Sequence, residues 1–402
     1  IFHFGQIILH SIGLGAYVID AKIRANVIEI MPERIVLKSI LYCTISIFLF
    51  HSGALLYALK QKRYPIKEIA GAEKIGESKQ FLLTRGIGIL MLIVSIYPMI
   101  KFDSGYIRAA LNGGYTAVYQ LDINTGLWDD LSRMYKPSIL FLLVSFKKKP
   151  TLARIMVVIN ILYSLVKLSI IGQRGYEMIF IVVLVWLYIK IFSKLDFKRF
   201  LTLSVFSMVV TSILSLAVAN RDSTSRFDLS DVLNYLLTQN PILQSISEFG
   251  GTLYTVELYI DLIPRTLNFG FGSSYLASLL TLLPNVNGIL GDSVKLASPN
   301  YLLSLEVTGI GGSYIGEFYY NFGWYGVVLG LIFGYLFASF SNSTQRAFNQ
   351  NKFFVIAASA TFLNIVLWTI RDSFTAIPRN LLFQLVIPYV LFILLYKLVK
   401  KA

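Results

Sequence analysis

Cysteine and histidine are almost missing from this chain. Its one cysteine, Cys43, excludes a disulfide framework and any multi-cysteine metal site. The three histidines, His3, His10 and His51, all fall within the first 51 residues, which speaks against a histidine-based metal site later in the chain. Charge is also scarce. Asp, Glu, Lys and Arg make up 14% of 402 residues, against about 25% in a water-soluble protein. Hydrophobic residues reach 55% and the mean hydropathy is +0.66. Together these values exclude a soluble globular enzyme, a disordered chain and a coiled coil. There is no Gly-rich phosphate loop closed by Lys and Ser or Thr, and no Gly-x-Ser-x-Gly nucleophile elbow.

What is present reads as a polytopic membrane protein. A bilayer core of roughly 30 Å takes about 20 mostly apolar residues per helix, and lipid offers no partner to a bare peptide group, so the spans must be helical. Ten segments qualify, near 1–19, 37–59, 82–100, 130–146, 152–171, 175–192, 199–219, 323–341, 353–370 and 380–397. The fourth is the weakest, with Asp129, Asp130, Arg133 and Lys136 in its first turns. The expected architecture is all-α, with about ten or more transmembrane helices and one large extracytoplasmic loop of short helices. It divides into an N-terminal bundle over 1–219, the loop region over 220–322 and three C-terminal helices over 323–402. Ile1 already lies inside an apolar run and no cleavable signal peptide is apparent, so preceding residues are expected. Aromatic residues, 14% of the chain, suit anchors at two membrane interfaces.

The net charge of +14 comes from loops rather than from a nucleic-acid face. Lysines cluster at 60–79, 147–149, 190–198, at 352 and at 397–401, one alternating set of connections, which the positive-inside preference places in the cytoplasm. Those loops hold 15 Lys and 3 Arg, whereas the opposite connections after residue 101 hold eight Arg and only Lys136 and Lys295. Arginine on the outer side runs against the topology preference and needs a reason. A guanidinium is planar, permanently charged and forked, so it grips phosphate through two parallel hydrogen bonds and sheds water more readily than ammonium. An anionic lipid head group such as a polyprenyl pyrophosphate would fill that role. The binding candidates are Arg174, Arg221, Arg226, Arg265, Arg371 and Arg379. The plainer alternative is that each pairs with a nearby carboxylate or snorkels to an interface.

Two carboxylates stand out in the outer segment. Glu317 lies in the glycine and aromatic run from Gly311 to Gly326, and Glu248 lies in Ser247-Glu-Phe-Gly-Gly. A carboxylate beside aromatic rings and near lipid holds a proton more tightly, which suits proton abstraction from a sugar hydroxyl. Each also has a structural reading: Glu317 as a helix-start carboxylate favoured by the macrodipole, Glu248 as a partner for a loop arginine. Tyr319, Tyr320 and Trp324 belong to a dense aromatic cluster that reads as an interfacial belt or as a platform for sugar rings.

Gly172-Gln-Arg-Gly-Tyr176 opening a span, Gly270-Phe-Gly-Ser-Ser-Tyr275 followed by Leu283-Pro284, and Ser313-Tyr-Ile-Gly-Glu-Phe-Tyr-Tyr-Asn-Phe-Gly323 carry a resemblance. With this layout of spans and one dominant outer loop, the chain resembles the Wzy-type O-antigen or capsular oligosaccharide repeat-unit polymerases of bacteria. The resemblance implies a GT-C-like glycosyltransferase of the bacterial cytoplasmic membrane, its active site facing the periplasm or cell exterior. It would move a growing glycan from one undecaprenyl pyrophosphate to the sugar end of another lipid-linked repeat unit. Its partners would be the polyprenyl-pyrophosphate-linked oligosaccharide and membrane lipid, with a chain-length regulator protein as a further candidate and no nucleic acid. No cofactor and no metal is expected, since guanidinium charge can stand in for a divalent ion. Similar O-antigen ligases rely on a histidine in the large outer loop, and this chain has none after His51. The rival readings are a flippase or transporter for the same lipid, which wants charged residues at mid-membrane depth, and a membrane acyltransferase, which wants a buried histidine base.

Overall fold

The computed structural model describes residues 2–7, 9–10, 31–63, 77–120, 126–171, 174–193, 251–283, 298–307 and 311–401. Every regular element among them is helical. In chain order these are α1 (Phe2–Ile7), α2 (Glu33–Arg63), α3 (Glu77–Gln120), α4 (Gly126–Ser132), α5 (Tyr135–Ser145), α6 (Pro150–Ile171) and α7 (Arg174–Phe192). There follow α8 (Gly251–Leu262), α9 (Ser273–Leu280), α10 (Pro299–Glu306), α11 (Tyr314–Phe322), α12 (Val327–Asn349) and α13 (Phe353–Trp368). Short 3-10 turns at Thr369–Arg371 and Phe374–Ala376 lead into α14 (Ile377–Leu381), a π-helical turn (Leu382–Val386) and α15 (Ile387–Lys401).

Seven helices among the described residues are long and apolar enough to cross a membrane: Glu33–Gln61, Lys79–Gly113, Pro150–Ile171, Gly175–Phe192, Tyr314–Asn349, Phe353–Arg371 and Ile377–Leu398. They coincide with seven of the ten expected spans. The segment near 199–219 lies outside the described residues, as does most of that near 1–19. The fourth expected span forms two short helices instead, α4 and α5, the longer with 11 residues. The charged stretch from Asp129 to Lys136 covers the break between them. A second difference concerns 101–120, expected as a connection. Here α3 runs on without interruption, through Pro98, for 44 residues, or roughly 66 Å at 1.5 Å per residue.

The described residues gather into two compact units, each discontinuous in sequence. The first draws on Ile1–Gly76, Ile246–Lys352 and Ile365–Leu382, the second on Glu77–Ser245, Phe353–Asn364 and Phe383–Ala402. In the second unit, α3 packs on α5 where Gly88 lets the backbone approach Phe141 and Leu142. Phe354 packs edge-on with Phe141 (ring centroids 5.4 Å apart) and at a tilt with Phe392 (4.3 Å).

The first unit is built around a glycine seam. Gly326, Gly330 and Gly334 repeat every four residues where α12 begins and so share one helix face. A Cβ at Gly330 would lie 2.6 Å from the Ser46 carbonyl oxygen, and one at Gly334 would lie 1.8 Å from that of Phe50. From the other side, a Cβ at Gly53 of α2 would lie 1.9 Å from the Leu331 carbonyl oxygen. Lipid tails are as apolar as leucine, so helices in a bilayer associate through close packing, and small residues in this spacing permit it. The seam brings α2 against α12 and sets Tyr42 of α2 beneath α11. The Tyr42 hydroxyl donates to the Gly323 carbonyl at 3.2 Å.

Candidate functional site

The site sits at the start of α11, in the first unit. Ser313 is extended and caps the helix, its hydroxyl accepting from the Gly316 amide at 3.3 Å. Glu317 therefore falls in the first turn, where the helix dipole favours an anion. Its side chain is buried, with 1% of the residue exposed. Oε1 accepts from the Ser274 hydroxyl at 2.6 Å and Oε2 from the Phe374 backbone amide at 2.6 Å. One turn on, Asn321 donates to Ser274 Oγ at 2.8 Å and to the Glu317 carbonyl at 2.9 Å, while its Oδ1 accepts from the Gly272 amide at 2.9 Å. The backbone completes the join, because Gly270 and Phe271 donate to the carbonyls of Tyr320 and Asn321 at 2.9 and 3.0 Å. Gly270 is required by space, since a Cβ there would lie 2.3 Å from the Tyr320 ring. Gly272 is required by conformation, with φ of 90°.

Two motifs distant in sequence, around 270–275 and 313–323, thus meet on one carboxylate. A third piece joins them. The turn Arg371–Arg379 is fixed at Phe374 by Glu317 and at Arg371 by Gly312, whose amide donates to the Arg371 carbonyl at 3.1 Å. Asp372 accepts from Asn300, from Trp368 and, at 2.7 Å, from the Ser373 amide. The Gly311 carbonyl accepts from Thr255 at 3.0 Å.

The expected arginines fall out differently. Arg371 is exposed at the mouth of this turn, and Arg379, half-buried, donates to the Thr281 carbonyl at 2.9 Å. Arg265 pairs with Asp261 at 2.6 Å on the surface of the same unit. Arg174 opens α7 in the second unit; its side chain, and Arg221, Arg226 and Glu248 entirely, lie outside the described residues. Tyr319 and Tyr320 are buried. The first stacks edge-on against Tyr42 at 5.2 Å and the second packs against Tyr259 at 6.2 Å. Trp324, 5.4 Å from Tyr42, keeps 41% of its surface exposed.

Sequence reasoning passed over Ser274, Asn321 and Glu257. Asn321 was within reach, because it follows Glu317 by four residues and so shares its helix face. Glu257 has no local signature. It is buried within α8, and among the described residues neither carboxyl oxygen has a hydrogen-bond partner. Burial raises its pKa from the usual carboxylate range to about 8. The native state therefore holds this proton more tightly than the unfolded chain. The resulting stabilisation is complete below about pH 4.5 and is lost as the pH rises through 8. Glu257→Gln should flatten that decline and lift the thermal midpoint at pH 8.5 by roughly 5 °C, while leaving it nearly unchanged at pH 5. A melting series over this range checks it. Equal midpoints for the two proteins at pH 8.5 would contradict it.

The family of O-antigen polysaccharide polymerase Wzy matches residues 1–402, the whole chain. The protein belongs to the Wzy family. It is thus a multi-pass membrane protein and an O-antigen repeat-unit polymerase, a glycosyltransferase-type enzyme acting on lipid-linked oligosaccharide repeat units. No curated protein and no solved structure matches the chain. In this Wzy protein the glycine and aromatic run from Gly311 to Gly326 provides both the helix that buries Glu317 and the start of the glycine seam.

Proposed function

We propose that the protein lengthens glycan on undecaprenyl pyrophosphate at the outer face of the bacterial cytoplasmic membrane. The growing chain passes from one carrier to the sugar end of a second lipid-linked repeat unit. An acceptor hydroxyl oxygen attacks the anomeric carbon, the bond from that carbon to the pyrophosphate oxygen breaks, and the carrier leaves as undecaprenyl pyrophosphate. Glu317 takes the proton from the attacking hydroxyl, with Glu248 as the alternative carboxylate. Arg371 and Arg379 meet the departing diphosphate and stabilise the charge that develops on it, and Arg174, Arg221, Arg226 and Arg265 are proposed as further ligands of a lipid diphosphate. Their guanidinium charge takes the part a divalent ion would otherwise play. Trp324, which is partly exposed, meets a sugar.

The observation that carries this reading is the bond from the Phe374 amide to Glu317. It ties the one buried carboxylate of the Gly311–Gly326 run to the turn that bears Arg371 and Arg379. A base and two phosphate-gripping side chains thereby belong to one connected piece of structure, as glycosyl transfer from a lipid diphosphate requires.

The test is reconstitution. Purified protein in vesicles receives lipid-linked repeat units and no nucleotide sugar. A ladder of glycans, with carrier released as each bond forms, is the expected outcome. Movement of the lipid between leaflets with no growth of its glycan would overturn the reading in favour of a flippase.

A further inference from the structure

The second unit holds a buried charge cluster that the polymerase reaction as described does not use. Its hub is Glu177, in the first turn of α7 and three residues after Arg174. Glu177 Oε1 lies 3.0 Å from Lys136 Nζ and 3.1 Å from Lys167 Nζ, and Oε2 accepts from the Ser164 hydroxyl at 3.0 Å. Lys167 Nζ also lies 2.7 Å from Asp103 Oδ1, and Asp103 accepts from the Tyr163 hydroxyl through its other oxygen. Lys136 donates to the Tyr176 carbonyl at 3.1 Å and stands over the Tyr176 and Phe180 rings. Four helices meet here: α3 supplies Asp103, α5 Lys136, α6 Ser164 and Lys167, and α7 Glu177.

Charge decides what such a cluster can do. Two ammonium groups face two carboxylates, and the formal charges cancel. A balanced cluster has no net pull on a phosphate, and its donors are already engaged. It is also a costly way to hold helices together. Desolvating four charges consumes most of what their attraction returns, and apolar side chains of similar volume would pack these helices at least as firmly. What ion pairs add over apolar packing is direction: each fixes its helix in rotation and in register.

We propose that Glu177 is a positioning residue, and that the cluster around it sets the rotation and depth of the first turn of α7 so that Arg174 meets the substrate diphosphate. This rests on the reading of Arg174 as a diphosphate ligand. Arg174 and Glu177 are one helical turn apart, so a rotation or slide of α7 that moves Glu177 carries Arg174 with it. Displacements near 1 Å are enough to cost about a hundredfold in a positioned contact.

The experiment measures KM and kcat for chain extension on undecaprenyl-pyrophosphate-linked repeat units, together with the thermal midpoint. Glu177→Gln alone leaves Lys136 facing a neutral amide and risks misfolding. The informative variant is the charge-balanced pair Lys136→Met with Glu177→Gln, which removes one charge of each sign and leaves Lys167 paired with Asp103 at 2.7 Å. It should melt close to wild type. Its KM should rise about tenfold or more, with a much smaller fall in kcat, because only binding of the diphosphate is disturbed. Arg174→Ala should raise KM comparably, and adding it to the pair should raise KM little further, since both act through one contact.

A KM at the wild-type value in the pair shows that the cluster only braces the fold, and overturns the inference. Penalties that multiply in the triple variant overturn it as well. An Arg174→Ala protein with normal KM removes both the arginine assignment and this inference, while the wild-type ladder would keep the polymerase reading intact. A wild-type protein that builds no ladder removes all three.

Discussion

A Gly334→Leu chain should fail to accumulate as folded protein in the membrane. The residue added at Gly334 would place its Cβ 1.8 Å from the Phe50 carbonyl oxygen and 2.6 Å from the Phe50 carbonyl carbon. Both belong to backbone, so no rotamer change relieves the clash. The neighbouring turns of the seam are also too close for a side chain, at 2.6 Å for Gly330 against Ser46 and 1.9 Å for Gly53 against Leu331. To admit a side chain, α2 and α12 must separate along several turns and lose the packing that holds them in lipid. Overpacking of a buried contact usually costs about 1–3 kcal/mol, and a backbone-to-backbone contact belongs at or above the top of that range. Monodisperse material recovered after detergent extraction measures the effect. Gly86→Ala is the matched control, because a Cβ at Gly86 meets nothing within 4 Å. Recovery of Gly334→Leu at the level of Gly86→Ala would refute the seam.

Glu317→Gln should leave a folded protein whose glycan ladder is weaker by about a hundredfold or more, the usual scale for loss of a general base. The hydrogen bonds explain why folding survives. A glutamine oxygen can still accept from the Phe374 amide. Its amide nitrogen can donate to Ser274 Oγ, which has two lone pairs and already accepts from Asn321. Connectivity is kept and proton uptake is lost. Ser274→Ala provides the opposite case, because it leaves Glu317 Oε1 without that donor and should lower the thermal midpoint more than the rate. Near-normal ladder formation by Glu317→Gln would reduce Glu317 to a structural pin between α9, α11 and the arginine turn.

Much of the helical framework was legible because a long uncharged run leaves the chain no other option in lipid. The runs within Phe353–Arg371 and Ile377–Leu398 appear where the sequence places them for that reason. Hydropathy misled at 101–120 because it reports affinity for lipid and not helicity. Lys101, Asp103 and Arg108 end the apolar run, yet nothing there breaks a helix, and Asp103 meets Lys167 and Tyr163. At 130–146 the apolar part of the segment forms one helix of 11 residues, short of a full span on its own.

The site was half legible. Glu317 stands out by its aromatic company, and the cap at Ser313 follows from residue type. Its donors do not stand out, because one is a serine 43 residues earlier and the other a backbone amide 57 residues later. A backbone amide leaves no mark on a sequence. The glycine seam left a mark, three glycines at intervals of four, but Val327 to Leu329 and Leu331 to Phe333 between them read as any apolar span.

The arginines gave a composite result. Arg265 meets a carboxylate one turn away, and so does Arg133, which pairs with Asp129 at 2.7 Å. Arg371 and Arg379 lie on a turn whose backbone is held by Glu317 and Gly312. A turn held so firmly suits side chains that must meet a ligand in one geometry.

The central claim is that a guanidinium fork on this turn holds the departing diphosphate. Arg371→Lys tests it most directly, since the charge stays and only the fork is lost. Ladder formation from undecaprenyl-pyrophosphate-linked repeat units should fall by about a hundredfold, with the thermal midpoint unchanged. A lysine variant that builds the ladder at the wild-type rate would contradict the claim.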